Sequence, residues 1–597
     1  MKDLTGSIRV RRSVRIAIAV AAGLALSVAC TSSQVSSPSV AADVAPQAWE
    51  APRLGDTLEP GKSFIGNYLA GTFARTQSDS DHAIEYFRAA LAKDPENLDL
   101  NFQAGVLLAT EGRIAEAVPL LQKLDGSGKG TTVVDLVLAV ESIAHGKFKD
   151  AESRLSALEK NGINKLVGPL LRGWALADAG DIDGALEAID SLSGKDGKPS
   201  ALQNLHIALI NDLGGRDAAA LEAYRAATGG EAAASFRAVE MFGEFLERTG
   251  KPDDAKKIYD GFLAEHPGSE LLDASLARLR AGSVPARNIA NAKDGSAQAL
   301  FDLAGAFRQR NAREMGQLFG RLALYLNTDF PAAQILLGDI LESNQRLEAA
   351  NIVYAAIDKA SPLAWAARIR AGLNLDDLER PDEAIAHLRT MADERPAIAQ
   401  PLITIGNILR GRDRFAEAVV VYDEAFTRIP AIEKHQWSLL YFRGMALERS
   451  GEWTRAEADF LAALDFEPEQ PYVLNYLGYS WVDKGLHLDR AMGMIEKAVK
   501  LRPNDGYIVD SLGWALYRLG KIEEAVRELE RAIELRPEDP IINDHLGDAY
   551  WKVGRRKEAG FQWRRSLTLD PQDDLIAKIE KKIERGLTEE DEPGNDG

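Results

Sequence analysis

The sequence predicts an all-α solenoid of paired helices, and three observations carry the prediction. The first is a period. Small residues recur as Ala83, Ala117, Ala151, Ala185, Ala220 and Ala255, then Gly316, Ala350, Ala384, Ala418, Ala456, Ala491, Ala525 and Ala559. The successive spacings are 34, 34, 34, 35, 35, 61, 34, 34, 34, 38, 35, 34 and 34 residues. The second is the content of each period, clearest where Leu512-Gly513 and Leu516 are followed by Ala525, Leu529, Ala532 and Pro537. Gly513 and Ala525 are small where two helices cross closely, Leu512 and Leu529 fill the seam, and Pro537 stops the second helix. The third is the return of that set as Gly444, Ala456, Phe460, Ala463 and Pro468; as Gly406, Ala418, Tyr422, Ala425 and Pro430; and as Gly243, Ala255, Tyr259 and Pro267.

A 34-residue unit in this order resembles the tetratricopeptide repeat, whose L-G-x2-Y…A-x3-F…P pattern the stretch from Leu512 to Pro537 follows. The resemblance covers roughly residues 63–571 and implies a tetratricopeptide helix-turn-helix superhelical solenoid of about 14 repeats in two arrays. The 61-residue step exceeds one period by 27 and contains Ser283-Val284-Pro285 and Lys293-Asp294-Gly295. An irregular break or hinge is therefore expected over residues 283–297, between an N-terminal array of six repeats (63–282) and a C-terminal array of eight (298–575). The 38-residue step inserts about four residues near Ala431–His435. Gly316 and Gly320 occupy the packing positions of the repeat between Ala304 and Thr328, which is expected to be the weakest. After Pro571, Ile576–Leu587 alternates apolar residues with Lys and Glu at helical spacing. Residues 576–597 are thus expected to supply a capping helix, which the open end of a solenoid requires, and a short acidic tail.

Ahead of the repeats, Lys2, Arg9, Arg11, Arg12 and Arg15 precede the apolar stretch Ile16–Ala29. At 14 residues it is shorter than the roughly 20 of a membrane-spanning helix, so residues 1–29 are expected to be a secretory signal peptide. Ser27 and Ala29 allow a cut before Cys30, the only cysteine of the chain. The arrangement resembles a bacterial lipobox, which implies acylation of the Cys30 sulfur. The departure is Ser27, where that motif usually carries Leu, and ordinary cleavage with an unmodified thiol is the alternative. Thr31, standing where Asp would retain the protein at the inner membrane, implies an outer-membrane lipoprotein facing the periplasm, or a soluble periplasmic protein without acylation. Residues 30–62, with Pro38, Pro46, Pro52 and Pro60 among Ser and Ala, read as a flexible tether.

Composition removes several classes of function. One cysteine in 597 residues excludes a disulfide scaffold, a thiolate zinc site and an iron–sulfur cluster. The net charge of −19, which becomes −23 without residues 1–29, repels phosphate backbones and argues against a nucleic-acid partner. The eight histidines fall in different repeats with no H-E-x-x-H spacing. The run from Asp125 to Thr131 looks superficially like a phosphate loop, but Lys123 stands where the pattern needs Gly, and Gly130 replaces the Ser or Thr after Lys129. Only 26 residues follow Pro571, so no appended catalytic domain is expected. Neither a catalytic residue, a metal, a cofactor nor a small-molecule substrate is expected.

The informative positions are those of each first helix that face away from its partner helix. They lie four and then three residues apart and so share one face. Near the C-terminus they are Asn475, Tyr479 and Val482; Asp510, Trp514 and Tyr517; and Asp544, Asp548 and Trp551, with Tyr472 and Tyr507 one turn earlier. In earlier repeats the position matching Asp510 is mainly apolar, as at Tyr68, Phe102, Leu136, Leu170, Ile335 and Ile403. In the family these positions line the concave groove, so an acidic and aromatic protein-binding groove is expected there, with the composition of an interface hot spot. Packing between repeats is the alternative for the same aromatics. None of these positions is Lys, so the basic clamp by which chaperone-binding members hold a terminal carboxylate is absent.

The runs Asn475–Asp483, Asp510–Trp514 and Asn543–Trp551 resemble the long exported tetratricopeptide proteins of alphaproteobacteria. These are similar to outer-membrane lipoproteins that act as adaptors for carboxyl-terminal processing proteases. The resemblance implies a non-catalytic scaffold whose partners are other proteins or peptides, and which meets the membrane through a lipid anchor only. A lipoprotein adaptor joining a periplasmic protease to its substrates is the first expectation. A scaffold for export or assembly of envelope polymers or outer-membrane proteins is the alternative.

Overall fold

A computed structural model describes residues 60–588 except 126–131, 158–163, 193–198, 230–234, 267, 268, 270 and 311. The expected signal peptide, Cys30, most of the tether, the glycine-rich run after Asp125 and the acidic tail lie outside the described residues. Among the described residues there are thirty α-helices and no strand. The chain divides into two compact units between Leu378 and Glu379.

The first unit opens with six helix pairs. They are α1 (Phe64–Thr76) with α2 (Ser80–Leu91), α3 (Leu98–Thr110) with α4 (Ile114–Gln122), and α5 (Thr132–Ala144) with α6 (Phe148–Ala157). Then come α7 (Asn164–Asp178) with α8 (Ile182–Asp190), α9 (Ala201–Leu213) with α10 (Asp217–Thr228), and α11 (Phe236–Arg248) with α12 (Pro252–Glu265). A short α13 (Asp273–Ala281) precedes two more pairs, α14 (Ala292–Gln309) with α15 (Arg313–Leu326) and α16 (Pro331–Ser343) with α17 (Leu347–Ala355), and then α18 (Ala364–Asp377).

The second unit begins with α19 (Pro381–Glu394), followed by α20 (Gln400–Gly411) with α21 (Phe415–Thr427). A 3-10 turn at Lys434–Gln436 accounts for the longer step before α22 (Trp437–Arg449) and α23 (Trp453–Phe466). Three further pairs are α24 (Pro471–Asp483) with α25 (Leu488–Leu501), α26 (Gly506–Arg518) with α27 (Ile522–Leu535), and α28 (Pro540–Lys552) with α29 (Arg556–Leu567). Beyond Pro571, α30 (Asp573–Arg585) follows the last pair.

Local chemistry sets these boundaries. Ser63, Asn97, Ser200, Ser235, Asn291, Asp505 and Asp539 each accept a backbone N–H of the helix that follows. Proline occupies the first helical position of α12, α16, α19, α24 and α28, where its missing N–H costs nothing. Nine of the turns inside pairs carry a left-handed glycine, at Gly112, Gly146, Gly180, Gly215, Gly250, Gly451, Gly485, Gly520 and Gly554, and three others use Ser78, Gln345 and Asp413.

The repeating alanines from Ala83 to Ala559 have no exposed surface. They sit under the close crossing within each pair. At the partner position, a Cβ on Gly513 would stand 2.6 Å from Leu529 Cγ, so the crossing admits no larger residue without a shift.

Two features depart from a simple stack. The stretch 283–297, expected as a hinge, runs from the end of α13 into the first turns of α14, while the division between compact units falls at 378/379, between α18 and α19. The seventh pair, expected to be the weakest, is enclosed. Its α14 packs on α7 and α9 as well as on α15 and α16, and its α15 packs on α3 and α5. Gly316 and Gly320 are buried there, and a Cβ on Gly316 would meet Ile340 of α16 at 3.3 Å and the Ala304 carbonyl of α14 at 3.4 Å, so its small size permits close packing from both sides.

Candidate protein-binding groove

Helices α3, α5, α7, α9 and α11 are all first helices, and their shared inner face is the one a ligand would occupy. In the first unit the chain itself fills it. Gly295 of α14 meets Trp174 of α7, whose indole is fully buried and donates to His206 Nδ1 at 3.2 Å. Gln317 Nε2 of α15 donates to the Thr110 carbonyl at 3.0 Å, and the Tyr325 hydroxyl donates to Glu141 at 2.5 Å. Arg346 forks onto Glu111 at 2.6 and 2.7 Å. Burial alone would raise the Glu111 carboxyl, but the hydrogen bonds and charge of Arg346 outweigh it and hold the group below its ordinary value. Leu136 and Leu170 are buried in this face. Their apolar character, seen in the sequence, is that of a groove already occupied.

Between α13 and α14, residues 283–290 run without helix against α9 and α11. Arg287 Nε lies 3.3 Å from Asp212, Asn288 donates to Glu244, and Arg237 Nη1 donates to Asn288 Oδ1 at 3.2 Å. Ile289 is buried beside them. Burial, reinforced by Glu240, pushes the Glu244 carboxyl up to about 7 against the pull of Arg278. Asp212, Glu240, Glu244 and Arg237 occupy the inner-face positions of their helices, so this is a polypeptide segment held in the manner of a peptide ligand.

In the second unit the expected groove residues separate into two sets. Tyr472 is 38% exposed, while Asn475, Tyr479 and Tyr507 are half-buried. Asn475 Nδ2 donates to Ser511 Oγ at 3.1 Å, and its Oδ1 has no partner among the described residues. Tyr507 lies beneath the Arg536 guanidinium at 5.2 Å. The remaining residues are engaged internally. Trp514 is buried, stacked on His545 at 4.0 Å and on Tyr517 at 4.9 Å. Asp510 accepts from His545 Nδ1 at 3.0 Å. Asp544 and Asp548 both accept from Lys582 of α30, at 2.8 and 2.7 Å, and Trp563 Nε1 donates to Asp548 at 2.9 Å. Trp551 packs on Trp563 at 5.5 Å and under the Gly586 backbone.

The expected open acidic groove is thus corrected at this end. Asp510, Trp514, Tyr517, Asp544, Asp548 and Trp551 form the joint between the last two repeats and α30, as the packing alternative describes. Burial raises the Asp548 carboxyl to about 6 despite Lys582. For Lys582 burial acts to lower the ammonium, yet Asp548 and Asp544 dominate and raise it. The open inner face lies upstream, on α20, α22 and α24, where Ile403, Asn407, Tyr441 and Met445 retain partial exposure beside Tyr472, Asn475 and Tyr479. The same four-then-three spacing marks these upstream positions in the sequence. Asn407 Oδ1 accepts the Tyr422 hydroxyl at 2.8 Å, which fixes its amide.

Family profiles described as tetratricopeptide repeats match residues 68–130 and 403–471, and a TPR-repeat profile matches 513–554. The chain is built of tetratricopeptide repeats. A TPR repeat-containing protein of Pseudomonas aeruginosa is 31% identical over 197 residues, which is 33% of this chain and 32% of that one. A probable UDP-N-acetylglucosamine–peptide N-acetylglucosaminyltransferase SPINDLY of Solanum lycopersicum is 28% identical over 122 residues, 20% of this chain and 12% of that one. The chain therefore spans about a third or less of the length of these curated relatives. Among solved structures, a chain of the APC/C hetero-tetramer Cut9–Hcn1 aligns over 88% of this chain and 96% of its own at 15% identity and a TM-score of 0.36. A tetratricopeptide repeat protein of Parabacteroides merdae aligns over 42% of this chain and 97% of its own at 15% identity and the same score. Tetratricopeptide proteins are in general non-catalytic scaffolds that bind other proteins or peptides.

Proposed function

We propose that this tetratricopeptide protein is a non-catalytic scaffold of the bacterial cell envelope. Anchored through an acylated Cys30, it holds a carboxyl-terminal processing protease and that protease's substrates along the open inner face of α20, α22 and α24. The observation that supports the binding mode is internal to the chain. Residues 283–290 lie on α9 and α11 with Arg287 on Asp212, Asn288 on Glu244 and Ile289 buried. A first-helix face of these repeats thus accepts a non-helical segment by pairing polar groups and covering one apolar side chain. On α20–α24 the matching face keeps the Asn407 amide N–H groups for a backbone carbonyl, with Tyr441, Tyr472 and Tyr479 as apolar contacts that retain exposure. Two proteins held on one chain meet at a high effective concentration, so the scaffold needs no chemistry of its own. Export and anchoring rest on the basic start, the apolar stretch Ile16–Ala29 and the single cysteine after it.

The test is photo-crosslinking in cells from a reactive residue placed at Tyr479, with fractionation of a Cys30→Ser variant alongside. A protease and its substrate should dominate the crosslinked products, and the serine variant should move from the membrane pellet to the soluble periplasm. Export machinery without a protease would overturn the adaptor role, and unchanged membrane association of the variant would overturn the anchor.

A further inference from the structure

The outer face of α29 departs from the rest of the molecule. In a chain of net charge −19, this helix carries Arg556, Lys557, Arg564 and Arg565 against Glu558 alone. Ala559, Trp563 and Ser566 are buried, which fixes the orientation of the helix. Lys557, Phe561, Arg564 and Arg565 then fall together on the opposite side, at the i, i+4, i+7 and i+8 spacing of one helix face. Phe561 is 66% exposed, and the three cations around it are exposed as well. Among the described residues none of the three pairs with a carboxylate. Arg564 Nη1 turns back to the Gly560 carbonyl at 3.0 Å, and Glu558 is taken by Arg555. Arg556, at the edge of the face, lies over the Trp551 ring at 4.9 Å.

The preceding repeats show that this is not the usual outer surface. One period earlier the same four positions are Glu523, Arg527, Glu530 and Arg531, and two periods earlier Asp489, Gly493, Glu496 and Lys497. There the charges alternate, and Arg531 and Lys497 find carboxylates at 3.2 and 3.1 Å. On α29 both acidic positions have become cations and an aromatic ring stands between them. Like charges packed this closely repel one another, and an exposed ring gains nothing from water, so the arrangement is one that an anionic and partly apolar partner would relieve.

We infer that the outer face of α29 is a docking surface for a short acidic segment of a partner protein, separate from the inner-face groove. Its carboxylates pair with Lys557, Arg564 and Arg565, and one apolar side chain covers Phe561. Arg564 and Arg565 suit carboxylates because each guanidinium can present two parallel N–H donors. A short segment is favoured over a bilayer or a nucleic acid by range. At physiological salt a charge is felt over about 8 Å, so a peptide senses the cations of one helix, whereas an extended anionic surface also meets the acidic remainder of the chain.

The experiment uses the full chain and a fluorescent twelve-residue peptide of alternating Glu and Leu, with a Gln and Leu peptide and phosphatidylserine vesicles as comparisons. The Glu peptide should bind, more weakly as salt rises. Lys557→Glu with Arg564→Glu and Arg565→Glu should weaken it by about tenfold or more, and the milder Gln variants should act in the same direction. Phe561→Ser should weaken it several-fold without altering the salt dependence. All four positions are solvent-facing, so circular dichroism and melting of the variants should match the parent. Equal affinity for the Gln peptide, unchanged affinity in the reversed variant, or binding of the vesicles in place of the peptide would each overturn the inference.

Discussion

Gly295 of α14 lies so close to Trp174 of α7 that a Cβ at position 295 would stand 2.1 Å from the indole. These residues are 121 positions apart in the chain, and their contact seats the seventh repeat against the inner face of the fourth. Gly295→Ala should overpack this joint and cost about 1–3 kcal/mol of stability. The contact lies within the first unit, against α7 and α9, so hydrogen exchange should quicken in α7, α9 and α14 and stay unchanged in α24–α27 of the second unit. Uniform loss of protection throughout the chain would contradict the contact assigned to Gly295.

Lys582 is the only link between α30 and the paired carboxylates of Asp544 and Asp548 that the described hydrogen bonds contain. Lys582→Met leaves two buried acids facing one another, and breaking a buried ion pair in this way costs about 3–5 kcal/mol. Protection of α30 should be lost first, and adding Asp548→Asn should restore part of it. A variant that melts like the parent would show that the ammonium is dispensable.

The Glu244 carboxyl, at about 7 in the folded chain and near 4.5 ordinarily, makes the first unit sensitive to pH. The folded state holds its proton more tightly than the unfolded one. Its contribution is therefore complete below about pH 4.5 and is lost as pH rises through 7, a loss of up to about 3 kcal/mol between pH 5 and 8. Urea midpoints of the parent and of Glu244→Gln at those two pH values check this. The parent should lose more stability than the variant on going to pH 8, and equal losses would sink the assignment.

Trp514 and Tyr479 occupy matching positions in adjacent repeats, yet the first is buried between His545 and Tyr517 and the second is half-buried on the open face. Trp514→Ala should cost about 3–5 kcal/mol in stability and leave the affinity of the folded fraction intact. Tyr479→Ala should leave melting nearly unchanged and cost about 2 kcal/mol in binding of the captured partner. Melting and affinity measured on both variants decide whether exposure separates binding from packing; the reverse outcome would place the binding face at Trp514.

Much of the fold is legible in the chain because its main contacts are local and repeat. Gly513 meets Leu529 sixteen residues later, and the same pair of positions returns each period, so helix crossing, turn and stop all leave a mark that can be counted. The identical spacing marks the inner-face positions, among them Tyr472, Asn475 and Tyr479. It carries no sign of what covers them, because Trp514 and Tyr479 look alike to a period of 34.

What the sequence by itself determined is the paired-helix unit, its period and the positions that share the inner face of the first helices. Tertiary structure alone decided which parts of that face are free. Gln317 reaches Thr110 across 207 residues, Arg346 reaches Glu111 across 235, and Lys582 reaches Asp544 across 38. Contacts of that kind occur once, between segments whose separation is not a multiple of the repeat, and so leave no periodic trace. That is why the sequence did not foresee that the seventh repeat is enclosed, or that the acidic positions near the C-terminus are closed by Lys582 of α30.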